Sequence, residues 1–269
     1  MTKEAYIQKI TLLKQHILRG DCYEINFCQE FFASTVAISP IQVFQKLSAI
    51  SPNPFAALYK YDNKWLICAS PERFLTKQGS KIYSQPIKGT SKRDMVSAAN
   101  DDANKDWLRN SSKDQSENVM VVDLVRNDLS KICEEGSVKV DELFGIYSFP
   151  QVHQMISTVS GTLKRNIEFT EIIKACFPMG SMTGAPKKKV MELIEKYETG
   201  KRGIFSGALG YINPSGDFDF NVVIRSIMYN EALGYLSYQV GSGITHYSNA
   251  AAEWDECMMK AEAIKKVFQ

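Results

Sequence analysis

Apolar positions recur along the chain at two spacings, and the spacing changes from stretch to stretch. In residues 4–19, Tyr6, Ile7, Ile10, Leu13 and Ile17 fall on one helical face, and Gly20 closes the run. Residues 23–36 read as a strand, and Pro40 opens a short helix over 40–49. Short β-type runs follow near 55–60, 64–69, 72–78 and 81–84, broken by Tyr61-Asp62-Asn63 and Gln78-Gly79-Ser80. A polar helical stretch covers 94–109, and a longer helix over 112–132 carries Val119, Met120, Val122, Leu124, Val125 and Leu129. Strands return near 137–147 and 151–160, and a helix at 168–176 leads into a loop from Phe177 to Gly184. A helix started by Pro186 runs to about 198, and strands near 204–213, 218–229 and 233–241 precede a last helix over 248–268. Strands outnumber helices and come in adjacent runs with short turns. The pattern therefore predicts an α+β fold, antiparallel sheets packed with helices, and not a doubly wound sheet. No linker rich in Pro, Gly or Ser and no repeat interrupts it, so residues 1–269 read as a single domain.

Composition narrows the class of function. The chain is 44% hydrophobic and 23% charged, ordinary for a soluble globular protein. A net charge of +2 predicts no broad basic face and no nucleic-acid partner. Cys22, Cys28, Cys68, Cys133, Cys176 and Cys257 are scattered without a Cys-x-x-Cys pair, so they read as reduced, mostly buried thiols. His16, His153 and His246 lie far apart, which argues against a zinc site. No apolar run approaches the ~18 residues of a membrane span. The start Met1-Thr2-Lys3-Glu4 is polar and lacks a signal core, so a cytoplasmic protein without a membrane partner is expected.

Candidate chemistry begins at Gln85-Pro86-Ile87-Lys88-Gly89-Thr90. Proline fixes its own torsion and biases the residue before it, while glycine permits a sharp turn or a close approach. Lys88 thus sits on stiff, shaped backbone. A free lysine titrates near ~10.4, and making the neutral amine the working form means overcoming roughly 4 kcal/mol by desolvation or a nearby cation. The plainer reading is a lysine snorkelling at a strand end.

Further stretches bear on that choice. They are Gly20-Asp21-Cys22-Tyr23-Glu24-Ile25-Asn26, Ser70-Pro71-Glu72-Arg73-Phe74, Pro86-Ile87-Lys88-Gly89-Thr90 and the run from Glu117 to Asp128. Then come Met182-Thr183-Gly184-Ala185-Pro186-Lys187, Gly207-Ala208-Leu209-Gly210-Tyr211, Ile224-Arg225-Ser226, Gly241-Ser242-Gly243 and Glu253-Trp254-Asp255-Glu256. In this order, they resemble the signature of the chorismate-binding enzymes, which include makers of 4-amino-4-deoxychorismate, anthranilate, isochorismate and salicylate. Within that family, the branch that aminates C4 of chorismate with a lysine nucleophile reads Pro-Ile-Lys-Gly-Thr, as at Lys88 here. The anthranilate-forming branch usually has alanine in that slot. The resemblance therefore implies conversion of chorismate and ammonia to 4-amino-4-deoxychorismate, for 4-aminobenzoate and folate. Anthranilate formation is the alternative within the family; a non-catalytic chorismate-binding subunit is the alternative of another class. Family members usually carry a further N-terminal portion that helps to form a tryptophan pocket, and the present chain is expected to lack it. The other half of that pocket corresponds to Ser51-Pro52-Asn53-Pro54-Phe55, whose departure from Asn-Pro-Ser-Pro-Tyr weakens the case for tryptophan feedback.

Asp114 and Glu117 stand three apart on one predicted helix, and Glu253 and Glu256 three apart on another, so each pair shares a helical face. Taken alone, the first pair suits a helix N-terminus, and Glu256 suits an i,i+4 bridge to Lys260. Facing each other, the four carboxylates would require a cation, and oxygen-only ligands suit Mg²⁺. The resemblance implies that Glu117 and Glu256 bind Mg²⁺ directly, with Asp114 and Glu253 acting through water. Arg225 offers a planar fork for the enolpyruvyl carboxylate of chorismate. Gly241, Ser242 and Gly243 offer backbone N–H groups, and Thr183 and Gly184 precede a helix N-terminus that makes a good anion seat. Lys260 would add a cation, and Phe205 stands where anthranilate formers usually have tyrosine.

The chemistry that follows has Lys88 attack C2 while the C4 hydroxyl departs, after which ammonia adds at C4 and the lysine leaves. Glu72 is the expected proton donor to the hydroxyl and later acceptor from ammonia; its plainer reading is a turn glutamate paired with Arg73. Gln154 occupies a slot that is often histidine in the family, with His153 one place earlier on the opposite strand face. Glu24 stands where isochorismate and salicylate formers have lysine, which argues against water activation there. No Gly-x-Cys-x-Gly nucleophile is present, so ammonia is expected from a glutamine amidotransferase subunit.

Overall fold

The computed structural model describes all 269 residues except the side chain of Ala263. In chain order the elements are α1 (Lys3–Leu18), β1 (Glu24–Ala33), α2 (Pro40–Ile50), β2 (Phe55–Tyr61), β3 (Lys64–Ser70), β4 (Arg73–Gln78), β5 (Lys81–Gln85) and β6 (Ile87–Lys92). They continue with α3 (Ala98–Arg109), α4 (Ser112–Ile132), β7 (Lys139–Ser148), β8 (Val152–Thr162) and α5 (Phe169–Cys176). A short 3₁₀ turn (Gly180–Met182) precedes β9 (Gly184–Ala185) and α6 (Lys187–Tyr197). Last come β10 (Ala208–Ile212), β11 (Phe218–Val222), β12 (Ser226–Asn230), β13 (Tyr235–Ile244) and α7 (Ala250–Lys266).

The chain gathers into two compact units: one of Met1–Pro71, Met182–Ala208 and Val222–Gln269, the other of Glu72–Ser181 and Leu209–Asn221. The first holds a six-stranded sheet in the order β2-β3-β12-β13-β1-β9. Strand alternation turns Ile25 and Phe27 of β1 to the same side as Tyr238, Val240 and Ile244 of β13. There they join Tyr6, Ile10 and Leu13 of α1, Val43 and Leu47 of α2, and Cys257, Ala261 and Ile264 of α7 in one buried cluster. Each large side chain so buried contributes roughly 1.5–3 kcal/mol. Thr2 caps α1 through Ala5 N–H, and Asn249 caps α7 through Ala251 and Ala252 N–H.

The second unit holds a seven-stranded sheet in the order β10-β11-β4-β5-β8-β6, with β7 also paired to β8. α3 and α4 supply buried Leu108, Val121, Val122, Leu129 and Ile132. Ser111 caps α4 by accepting from Asp114 N–H, so Asp114 sits in the first turn, where negative charge suits the helix.

The pairings described in both sheets are antiparallel, as the spacing of the apolar runs predicts. Several boundaries differ from the sequence pattern. The run 218–229 is two strands, because Ile224 N–H turns back to Val222 O and Arg225 takes a φ of 49°. The strand expected near 204–213 begins only at Ala208, since Phe205 and Gly207 N–H close turns onto Arg202 and Ile204 carbonyls. The helix expected from 94 begins at Ala98, because Asp94 Oδ1 accepts from Val96 and Ser97 N–H and holds that stretch as a turn. β6 and β9 are strands the pattern does not mark. Among the described residues no helix is long and apolar enough to cross a membrane.

Candidate active site

In the second unit, Lys88 lies where the β6–β8 ladder slips. Ile87 pairs with Ile156 but Thr90 with Gln154, so β6 carries one extra residue, a bulge that re-aims its side chains. Gly89 turns there with φ 90°, and a Cβ on it would stand 2.9 Å from Asp114 Cβ and 3.0 Å from Leu108 Cδ1. Glycine thus lets the start of α4 come against the bulge, bringing Asp114 beside the Lys88 segment. Lys88 is partly buried. Arg73 pairs with Gln85 across β4 and β5, so Glu72 and the Pro86-Ile87-Lys88 stretch leave the same end of neighbouring strands. Glu72 is 5% exposed. Arg73 spends its fork on Asp219, at 2.9 and 2.8 Å, and on Gln85 Oε1 at 2.6 Å.

His153 and Gln154 sit on opposite faces of β8, as alternation requires. His153 is fully buried, with Nε2 2.9 Å from Asp101 Oδ1 and Nδ1 2.9 Å from Ser148 Oγ. Arg93 also donates to both Asp101 oxygens, at 2.8 and 3.0 Å. Gln154, opposite Thr90, is buried and its Oε1 has no hydrogen-bond partner. On α4, Glu117 is nearly buried, with Lys113 Nζ 3.9 Å away.

In the first unit, β1 organises the candidate substrate residues. Asn26 lies opposite Gly243 and Cys28 opposite Gly241, so both glycines face the side of β1 that carries Asn26 and Cys28. A Cβ on Gly241 would lie 2.4 Å from Cys28 Sγ. Ser242 points the other way, its hydroxyl 3.3 Å from that of Tyr6, so only its backbone is available to an anion. On the other edge of β1, Asn26 N–H donates to Thr183 O at 2.7 Å. Gly184 has a φ of 136°, and a Cβ there would stand 2.1 Å from Glu24 O. Glu24 itself is buried, and its backbone pairs with Ala185.

Arg225, partly buried, holds a left-handed backbone while its carbonyl accepts from Ala69 N–H at 3.3 Å. Strain of that kind gathers at functional positions. Phe205 is buried, its N–H bonded to Arg202 O. On α7, Glu253 is buried, and Glu256 is 2.7 Å from Lys260 Nζ, the i,i+4 bridge that its spacing allows. Lys260 also donates to Gly241 O at 3.0 Å, tying α7 to the glycine strand.

Asp114 and Glu117 of the second unit, and Glu253 and Glu256 of the first, present oxygen donors only, the donor chemistry that suits Mg²⁺ better than zinc. Among the described residues no group of three or more His, Cys, Asp or Glu side chains is placed to hold a metal ion. All six cysteines are buried thiols, as expected. Burial pushes Cys28 up to about 12 and Cys22 and Cys133 to about 11, which removes them as nucleophiles. Sequence reasoning passed over Arg202 and Glu198, whose i,i+4 spacing reads as a solvated pair but whose side chains are largely buried, with Arg202 bonded to Met182 O and Ser206 Oγ. An arginine close to a motif glycine run was the available signal.

Residues 1–266 match the chorismate binding enzyme family. The chain is 37% identical over 264 residues to aminodeoxychorismate synthase component 1 of Klebsiella aerogenes, covering 98% of this chain and 58% of that protein. It is 38% identical over 271 residues to a probable chloroplastic aminodeoxychorismate synthase of Oryza sativa subsp. japonica, covering 100% of this chain and 30% of that one. The chain thus spans little more than half, or less, of the curated relatives it matches. Anthranilate synthase component I from Streptococcus pneumoniae TIGR4 superposes with a TM-score of 0.88 at 29% identity, over 98% of this chain and 58% of that chain. The menaquinone-specific isochorismate synthase of Escherichia coli shares the fold, with a TM-score of 0.88 at 18% identity over 100% of this chain and 61% of that chain.

Proposed function

Because the chain belongs to the chorismate-binding enzyme family, we propose that it acts as an aminodeoxychorismate synthase component I, aminating chorismate at C4. The observation that carries this reading is Lys88, held on a bulge of β6 at the strand end that Glu72 shares. Lys88 Nζ attacks C2, both ring double bonds shift towards C4, and the C4 hydroxyl leaves as water with a proton from Glu72. Ammonia then adds at C4, the double bonds shift back, the C2–N bond breaks, and Glu72 regains the proton. The sum is chorismate plus ammonia to 4-amino-4-deoxychorismate plus water.

Arg225 takes the enolpyruvyl carboxylate, supported by N–H groups of the Gly241–Gly243 strand and of Thr183–Gly184. Glu117 and Glu256, with Asp114 and Glu253 through water, would hold Mg²⁺, which when bound neutralises the ring carboxylate. Ammonia would come from a glutamine amidotransferase subunit, in keeping with the component 1 in the relatives' names.

The test is incubation with chorismate, Mg²⁺ and ammonium, followed by product identification. The expected product is 4-amino-4-deoxychorismate. Anthranilate as the main product would replace this reading with that of the anthranilate formers, and absence of turnover with that of a non-catalytic subunit. Removing divalent ions with a chelator is expected to abolish turnover and Mg²⁺ to restore it.

A further inference from the structure

The first unit contains a buried charged pair that the proposed chemistry does not use. Glu198 follows the end of α6, and Arg202 stands four residues on. Their side chains are 4% and 13% exposed. Arg202 Nε donates to Glu198 Oε2 at 2.9 Å and Nη2 to Oε1 at 2.6 Å. Nη2 also donates to Asn26 O at 2.8 Å, and Nη1 donates to Met182 O at 2.6 Å and Ser206 Oγ at 3.1 Å. A guanidinium has five N–H donors in a fixed plane, and all of them are spent. Glu198 Oε1 also accepts from Cys28 N–H at 2.8 Å, and Gln239 Nε2 holds the Lys201 and Arg202 carbonyls at 3.1 and 3.3 Å.

The acceptors mark what the pair fastens. Met182 immediately precedes Thr183 and Gly184. Asn26 sits on β1 opposite Gly243 and bonds Thr183 O. Ser206 follows Phe205, holds a φ of 63°, and donates its N–H to Val223 O, two residues before Arg225. One planar group therefore sets the spacing of the segments that carry the candidate carboxylate-binding residues. A buried ion pair is a poor source of stability, because well-packed apolar residues often do as well or better. What it supplies here is geometry.

We propose that Arg202, oriented by Glu198, is a positioning residue that fixes the chorismate-binding loops of the first unit. This rests on the reading of the chain as a chorismate aminase. Lysine cannot replace it, having a compact ammonium instead of a planar fork.

The experiment uses the wild-type chain, Arg202→Lys, and the double variant Arg202→Met with Glu198→Leu. For each, steady-state kinetics with chorismate and ammonium, chorismate binding by calorimetry, and thermal melting are measured. An interaction made equally in ground and transition states appears in KM, so both variants should raise KM for chorismate by about tenfold or more, with kcat within about threefold. Calorimetric affinity should fall in parallel. A purely structural pair would lower the melting temperature and the active fraction but leave KM unchanged. A folded double variant with wild-type KM overturns the proposal. If the double variant does not fold, wild-type KM in Arg202→Lys overturns it equally. A wild type that neither binds nor turns over chorismate sinks the functional reading itself, a result visible before any substitution is compared.

Discussion

In the second unit Lys88 and Glu72 leave one end of neighbouring strands, and the ladders there slip twice, once in β4 after Arg73 and once in β6 around Lys88. In the first unit Gly241–Gly243 lie on the paired strand β13, but Gly184 and Arg225 depart from ordinary strand torsions, at φ 136° and 49°. The buried charge differs in the same way. Arg93 and His153 of the second unit meet on one carboxylate, Asp101, and tie a helix start to a hairpin. Arg202 of the first unit reaches three further segments besides Glu198. Paired strands with one-residue slips suffice to aim a lysine and a glutamate. Thr183 and Arg225 lie between strands, where the ladder is interrupted, and the Arg202 bonds add a fastening to the segments beside them.

The largest expected effect would break the comparison at its chemical end. Lys88→Ala should slow amination on the order of 10²–10⁴-fold, the range of a lost catalytic group, while chorismate affinity by calorimetry stays within about threefold. An unchanged rate would leave the second unit without a nucleophile and point to direct attack by ammonia.

Glycine substitutions sharpen the contrast in backbone. Gly184→Ala would press a Cβ to 2.1 Å from the Glu24 carbonyl, an atom of a paired strand that cannot yield, whereas Gly89→Ala meets side chains at 2.9 and 3.0 Å. Urea denaturation should show a loss of about 3–5 kcal/mol for Gly184→Ala and about 1–3 kcal/mol for Gly89→Ala. Equal losses would mean that the two irregularities are alike after all.

The smallest effect concerns acid. Burial alone would raise the Asp101 pKa, but bonds from Arg93, Asp94 N–H and His153 outweigh it and hold the carboxyl well below the ordinary range. Its contribution to stability is full above the ~3.9 of an unfolded aspartate and drains away as pH falls below that value. Melting curves of wild type and Asp101→Asn should therefore differ most near about pH 6 and converge towards about pH 3. A constant gap would show that the charge of Asp101 contributes nothing.

Some of this was legible in the residues. The helix Ser112–Ile132 matches its predicted span because its apolar spacing is unbroken and Ser111 and Asp114 mark its start. β6 escaped because Pro86 and Gly89 resemble a turn, and they lie next to the bulge that makes Lys88 useful. The break at Arg225 escaped because Val222-Val223-Ile224 reads as uninterrupted β, and nothing local announces a left-handed arginine. The i,i+4 bridge between Glu256 and Lys260 was also legible from spacing, and the structure holds it, with Lys260 bonded to Gly241 O as well.

By itself the chain's order of residues determined the antiparallel α+β class, the helices and most of the strands, and the family signature from Gly20 to Glu256. Those depend on side-chain type and spacing, which are local. Tertiary structure alone decided that Arg202 spends all five donors on Glu198, Met182, Asn26 and Ser206, and that Ser242 turns to Tyr6. Two of those acceptors for Arg202, the Met182 and Asn26 carbonyls, are backbone groups, which every residue has, so no side-chain pattern could point to them before the chain had folded.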